Sequence, residues 1–81
     1  MSTVTVQLFA TYAETFGGAT IQVAVQPECT VGDLVATIRA LPGAYALPDS
    51  PRVAVNRKFA DYDQRLGDRD EVALIPPVAG G

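Results

Sequence analysis

Only one stretch of this 81-residue chain has helical periodicity over a length that can cover a sheet. Val31, Leu34, Val35, Ile38 and Leu41 recur at spacings of three and four, which gathers them into one apolar stripe. Thr30 is placed to cap that helix, and Asp33 at the third helical position makes a weak capping box, because Asp reaches back less well than Glu. Pro42-Gly43 is expected to end it. Elsewhere the apolar residues alternate. With a single long helix available, that helix must lie across one face of one sheet.

The alternation defines the strands. In residues 3–9, Val4, Val6 and Leu8 share one face while Thr3, Thr5, Gln7 and Phe9 share the other. Residues 19–25 repeat the pattern with Ile21, Val23 and Val25 inward. Gly17-Gly18 punctuates the connection, so an antiparallel pair is expected, with residues 10–16 given room for a helical turn. Residues 42–51 carry three prolines and read as an irregular loop. A short strand follows at 52–56, a further short edge strand at 58–61, and a last strand at 71–75. Pro76-Pro77 stops that strand, since neither proline can donate to a ladder. If the first and last strands pair, they pair in parallel through a right-handed crossover. The expected class is therefore α+β, a β-grasp arrangement: a mixed sheet of four to five strands with one main helix packed across one face. An open α+β meander with the helix packed differently is the alternative.

Charge and residue inventory exclude several functions. The net charge of −3 and the lack of a basic stripe argue against nucleic acid as the main partner. No apolar run approaches membrane-spanning length, and nothing after Met1 resembles a leader peptide, so a cytoplasmic location is expected. The chain has no His, no Cys pair, no phosphate-binding Gly-rich loop and no nucleophile elbow. A self-contained catalyst is not expected; partners must supply most catalytic groups. Cys29 stands beside the helix start, where a thiol can be activated, but without a histidine base it reads better as a small semi-buried residue. A lone Cys also excludes an iron–sulfur site, and no metal site is expected.

The informative segment is Pro76-Pro77-Val78-Ala79-Gly80-Gly81, which has no charged side chain. Division into a domain at 1–75 and a tail at 76–81 follows. The two prolines favour an extended start, and the two glycines lack the Cβ that a narrow channel would reject. At roughly 3 Å per residue the extended tail reaches about 18 Å. Such a tail can deliver a terminal carboxylate deep into another protein. A carboxylate is a poor electrophile, but an acyl-adenylate made with ATP carries a good leaving group. A sulfur donor can then displace AMP and leave a thiocarboxylate on Gly81. An ordinary frayed terminus is the competing reading.

The run Asp70-Glu71-Val72-Ala73-Leu74-Ile75 and the tail that follows closely resemble the C-terminus of the MoaD family, the small subunit of molybdopterin synthase. The opening Leu8-Phe9-Ala10-Thr11-Tyr12-Ala13-Glu14-Thr15-Phe16-Gly17 is also similar to that family's first strand and turn. Val55-Asn56 and Leu66-Gly67-Asp68 fall at a strand end and a turn of the family pattern. Ala13 departs from it, where Arg is frequent before the Glu, and so does Arg57, where Gly or a small polar residue is frequent. The resemblance implies a ubiquitin-like β-grasp fold and a sulfur-carrying, non-catalytic subunit of a sulfurtransferase complex. It implies adenylation of Gly81 by a MoeB-like E1 activating enzyme using ATP, and sulfur supply by a sulfurtransferase. It further implies insertion of the tail into a MoaE-like large subunit, as a heterotetramer, with transfer of sulfur to a cyclic pyranopterin. No permanently bound cofactor is implied; the sulfur is carried as the Gly81 thiocarboxylate. A ThiS-like carrier for thiazole synthesis and a ubiquitin-like protein modifier share the activation step and stand as alternatives, as does an interaction module with an inert tail. Sheet geometry adds a surface: Phe9 and Ile75, with Phe59 alongside, are expected to form an apolar partner patch at the root of the tail.

Overall fold

Alternating Val, Thr and Ile residues with polar partners build strands whose apolar face needs a cover, and here one helix provides it. The computed structural model describes residues 2–67 and 69–77. The order along the chain is β1 (Ser2–Gln7), α1 (Ala10–Phe16), β2 (Thr20–Val25), α2 (Val31–Arg39), a 3-10 turn (Ala44–Ala46), β3 (Arg52–Val55), β4 (Lys58–Phe59) and β5 (Val72–Ile75). The five strands form one sheet in the order β2-β1-β5-β3-β4. β1 runs antiparallel to β2 and parallel to β5, while β3 runs antiparallel to both β5 and β4. This is the expected β-grasp with its parallel first and last strands.

The core follows from the alternation. Val4, Val6 and Leu8 of the first strand region join Val23, Val25, Val53, Val55, Val72 and Leu74 on the covered face. Val31, Leu34, Val35 and Ile38 of α2 close over them, all nearly inaccessible. Burying such side chains stabilises by about 1.5–3 kcal/mol each before entropy is counted. Ile21 lies on the same face and packs against the core while staying half-buried.

Local chemistry sets the helix ends. Thr30 Oγ1 accepts from the Asp33 N–H at 3.1 Å, and Asp33 Oδ2 accepts from the Thr30 N–H at 3.0 Å. The capping box is complete, so Asp does reach back here. The next two donors are also satisfied: Val31 N–H donates to the Gln64 carbonyl and Gly32 N–H to the Tyr62 carbonyl. The β4–β5 connection is thereby strapped to the start of α2. At the other end α2 stops at Arg39, short of the expected Pro42-Gly43, because a residue before proline is driven out of helical geometry. Leu41 still packs against the core.

Residues 10–16 form a full seven-residue helix rather than a turn. It has no side-chain cap, and Ala10 at its start has φ of 50°. So short a helix is marginal alone. It persists because Tyr12 is buried and Ala13 and Phe16 pack on the core. The shorter edge strand, Lys58–Phe59, follows a tight turn in which Asn56 and Arg57 both have positive φ, 52° and 70°.

Candidate functional site

The site is the end of the sheet from which the tail departs. β5 is central, with β1 on one side and β3 on the other. Three-sided support of this kind, from two ladders and α2 beneath, gives Ile75 and Pro76 a rigid base. Val72 and Leu74 point into the core, so Ala73 and Ile75 face outward. Pro76 is half-buried and Pro77 exposed. Val78, Ala79, Gly80 and Gly81, the inserting and reacting end of the expected tail, lie outside the described residues.

Outward residues of neighbouring strands can be placed by register. Gln7 pairs with Ala73, Ala73 with Ala54, and Ala54 with Phe59, which forms one row across the outer face. Ile75 pairs with Arg52 in the next row, and Phe9 lies two residues beyond Gln7 on the same side. Phe9, Ile75 and Phe59 therefore share one surface. Phe9 is 45% exposed and Phe59 66%, whereas Ile75 is half-buried. Arg52 separates Phe59 from Ile75, with its guanidinium 5.1 Å from the Phe59 ring centroid. The surface is thus apolar with a cation in its middle, a feature the apolar pattern alone did not reveal. The guanidinium stacks on the ring, and among the described residues no acid pairs with it.

A cleft of about 200 Å³ opens at the root of the tail, lined by Tyr12, Pro48, Ser50, Arg52, Ile75 and Pro77. Tyr12 is 1% exposed, and its hydroxyl has no hydrogen-bond partner among the described residues. Burial, followed by the nearby Tyr62, pushes the Tyr12 pKa up, so it stays a neutral phenol. The Tyr62 hydroxyl instead donates to the Pro51 carbonyl at 2.6 Å. Sequence reading passed over Tyr12 as a site residue. The available signal was its spacing of four from Phe16, which marks one helix face.

Cys29 is buried at 7% exposure. Desolvation, with Asp33 adding to it, raises its thiol pKa, the reverse of an activated nucleophile. Among the described residues no cluster of His, Cys, Asp and Glu has the arrangement of a metal site. No described helix is long and apolar enough to cross a membrane. Among the described residues the arrangement provides a three-sided base for Ile75 and Pro76 and an outer face that carries Phe9, Phe59 and Arg52.

Comparison with known proteins agrees with this geometry. Small archaeal modifier protein 1 from Haloferax volcanii is 37% identical over 87 aligned positions, covering 93% of this chain and 97% of the relative. The crystal structure of small archaeal modifier protein 1 from Haloferax volcanii superposes with a TM-score of 0.82 at 31% identity, covering 99% of this chain and 100% of that one. A chain in the complex of subunits 1 and 2 of molybdopterin-converting factor from Helicobacter pylori has the same fold, with a TM-score of 0.70 at 22% identity and coverage of 98% and 99%. The model of the ThiS family matches residues 6–81, from the first strand through both terminal glycines. On its sheet order, its single covering helix and that match over nearly its whole length, the chain belongs to the ThiS family.

Proposed function

We propose that this protein is a ubiquitin-like carrier whose working group is the carboxylate of Gly81. The observation that carries the reading is the family match running through Gly80 and Gly81, directly after a strand held on both sides. In the first step a Gly81 carboxylate oxygen attacks the α-phosphorus of ATP on a MoeB-like E1 activating enzyme, and pyrophosphate leaves. The acyl-adenylate then meets a nucleophile, and AMP leaves. The carrier supplies the handle, residues 76–81; the partner supplies phosphate binding, acid and base.

Two fates of the activated end follow from two nucleophiles. A lysine amine gives an isopeptide bond, which makes the chain a protein modifier. A sulfur donor gives a thiocarboxylate, which makes it a sulfur carrier. The similarity to small archaeal modifier protein 1 favours the modifier fate over the molybdopterin synthase role that leads the sequence reading. The MoaD-like wording of residues 70–81 supports the second fate, with a MoaE-like subunit receiving the sulfur. Activation is common to both, so one chain can serve both. Phe9, Ile75 and Phe59, with Arg52 between them, are the proposed partner surface at the root of the tail.

The test is intact mass and conjugate mapping on N-terminally tagged protein expressed in its own host with a free C-terminus. Lysine conjugates joined through the Gly81 carbonyl, leaving the 70–81 segment on the lysine after cleavage at Arg69, are the expected result. One oxygen replaced by sulfur at Gly81, with a MoaE-like subunit co-purifying, would instead establish the sulfur-carrier fate. Deleting Gly81 must abolish either product; persistence of conjugates or sulfur after that deletion overturns the reading.

A further inference from the structure

The two edges of the sheet are built differently. β4 closes one edge with only two residues, Lys58 and Phe59, preceded by Arg57. A short, charged edge resists further pairing. β2 forms the other edge with six residues, TIQVAV, and has neither a charge nor a proline. Among the described residues it is neither shortened nor charged nor broken by a proline, three devices that blunt an edge.

The ladder fixes what that edge offers. Leu8 N–H donates to the Ala19 carbonyl at 2.8 Å, just ahead of the register in which Gln7 meets Thr20. In an antiparallel pair, alternate residues turn both peptide groups toward the neighbour. Ile21, Val23 and Val25 therefore face β1, and Thr20, Gln22 and Ala24 direct their N–H and C=O groups away from the sheet. All three are exposed, and no backbone hydrogen bond reaches their outward groups among the described residues.

A groove of about 520 Å³ runs beside this edge, between β2 and α2. Ala24 and Ala36 keep its walls low, and Val25 lies in its floor. Among the described residues the charged ones in its wall are Glu28 and Asp33. Glu28 is met by Arg65 at 3.2 Å, but both side chains are more than two-thirds exposed, at 79% and 71%. Such a pair is easily exchanged for another cation.

We infer that this edge and groove take an extended, basic peptide segment of a partner protein as a sixth strand. Outward groups of Thr20, Gln22 and Ala24 supply the main-chain ladder. The trough at Ala36 and Val25 accepts a short apolar side chain, and Glu28 with Asp33 accepts a Lys or Arg. A second copy of this chain is a poorer occupant: residues 17–28 contain no cation, so its β2 would bring another acid against Glu28 and Asp33. The groove lies where Val25 pairs with Ser2, whereas Ile75 lies past the other end of β1. Strand addition and use of the tail are therefore compatible.

The experiment is an amide NMR titration of the full chain with a capped octapeptide of alternating valine and threonine, with lysine at both ends. Shifts are expected at Thr20, Gln22, Ala24 and Ala36. N-methylation of alternate peptide residues in the frame facing β2 should weaken binding at least about tenfold, and in the other frame should leave it unchanged. Glutamate in place of the lysines should also weaken it. Ala24→Pro removes one outward donor at an edge, where proline is tolerated, and should abolish binding while β1 and β5 amides stay in place. If Ala24→Pro disturbs the fold, Ala36→Trp fills the groove from the exposed face of α2 and should have the same effect. No shift along β2 at millimolar peptide, or equal binding of the two N-methylated frames, overturns the inference. So does sedimentation as a dimer whose Thr20–Val25 amides are protected from exchange, since the second copy would then be the occupant.

Discussion

Single residues fix the joints that hold the tail-bearing end together. Gly43 has φ of 97°, and a Cβ there would press on the Thr15 carbonyl and Phe16 Cα. Gly17 also has positive φ, 84°, but a Cβ would meet nothing within 4 Å. Gly43→Ala should therefore cost about 3 kcal/mol and Gly17→Ala about 1 kcal/mol, because only the former adds overpacking to left-handed strain. Urea unfolding of both variants checks the difference. Asp70 is a second joint. Its carboxylate accepts from Gly67 N–H at 2.7 Å and from Asn56 Nδ2 at 2.9 Å, and these bonds, in that order, hold its pKa below the usual carboxylate range. A lowered folded pKa means that the stabilisation is complete above the unfolded value and is lost as pH falls through the folded one. Asp70→Ala should thus be less stable than the parent at neutral pH, with the gap closing as acid protonates the parent's carboxylate. Urea midpoints measured from neutral pH downward test this; a gap independent of pH would remove Asp70 from the account. The Gly43 joint is invisible in sequence because it depends on Thr15 and Phe16, whereas Asp70 combines a local bond to Gly67 with a remote one to Asn56.

Among the elements, the β3–β4 hairpin shows how far local rules carry. Positive φ at both Asn56 and Arg57 is the mirror-image turn that suits strand twist. Asn tolerates that geometry, and its side chain also works: Oδ1 accepts from Glu71 N–H at 2.9 Å, tying the hairpin to the start of β5. Arg57 has no such role and is strained. Arg57→Gly should stabilise the protein by about 0.5–1 kcal/mol, read as a rise in the urea midpoint with an unchanged slope. Arg57, which departs from the family pattern, is therefore a residue held in left-handed backbone geometry. In α2, local signals sufficed: Thr30, Asp33 and the apolar stripe specify both the cap and the buried face. α1 is the opposite case. Its start has no side-chain cap; Gly17 closes its end, donating to the Ala13 carbonyl, and the burial of Tyr12 holds the helix against the core.

For the whole molecule, the outer face at the tail root makes the sharpest prediction. Phe9, just past the end of β1 rather than within the first strand, and Ile75 of β5 are far apart in sequence, but β1 and β5 are neighbours in the sheet. On the proposed partner surface, Ile75→Asp should weaken binding of a MoeB-like E1 activating enzyme at least about tenfold, since docking there would bury the new charge. Phe9→Ser should act in the same direction with a smaller effect on stability, because Phe9 is the more exposed. Calorimetry with a folded variant decides it, and unchanged affinity would remove that residue from the interface. Sequence by itself determined the strand alternation, the single covering helix with its cap, the stop at Pro76-Pro77 and the glycine end, because each rests on periodicity or on conformational limits of neighbouring residues. Tertiary structure alone decided that Arg52 lies over Phe59, that Tyr12 is buried beside the tail root, and that β2 is left as a long uncharged edge. Those features require knowing which strands are neighbours, and that depends on the one arrangement that buries the α2 stripe against the sheet.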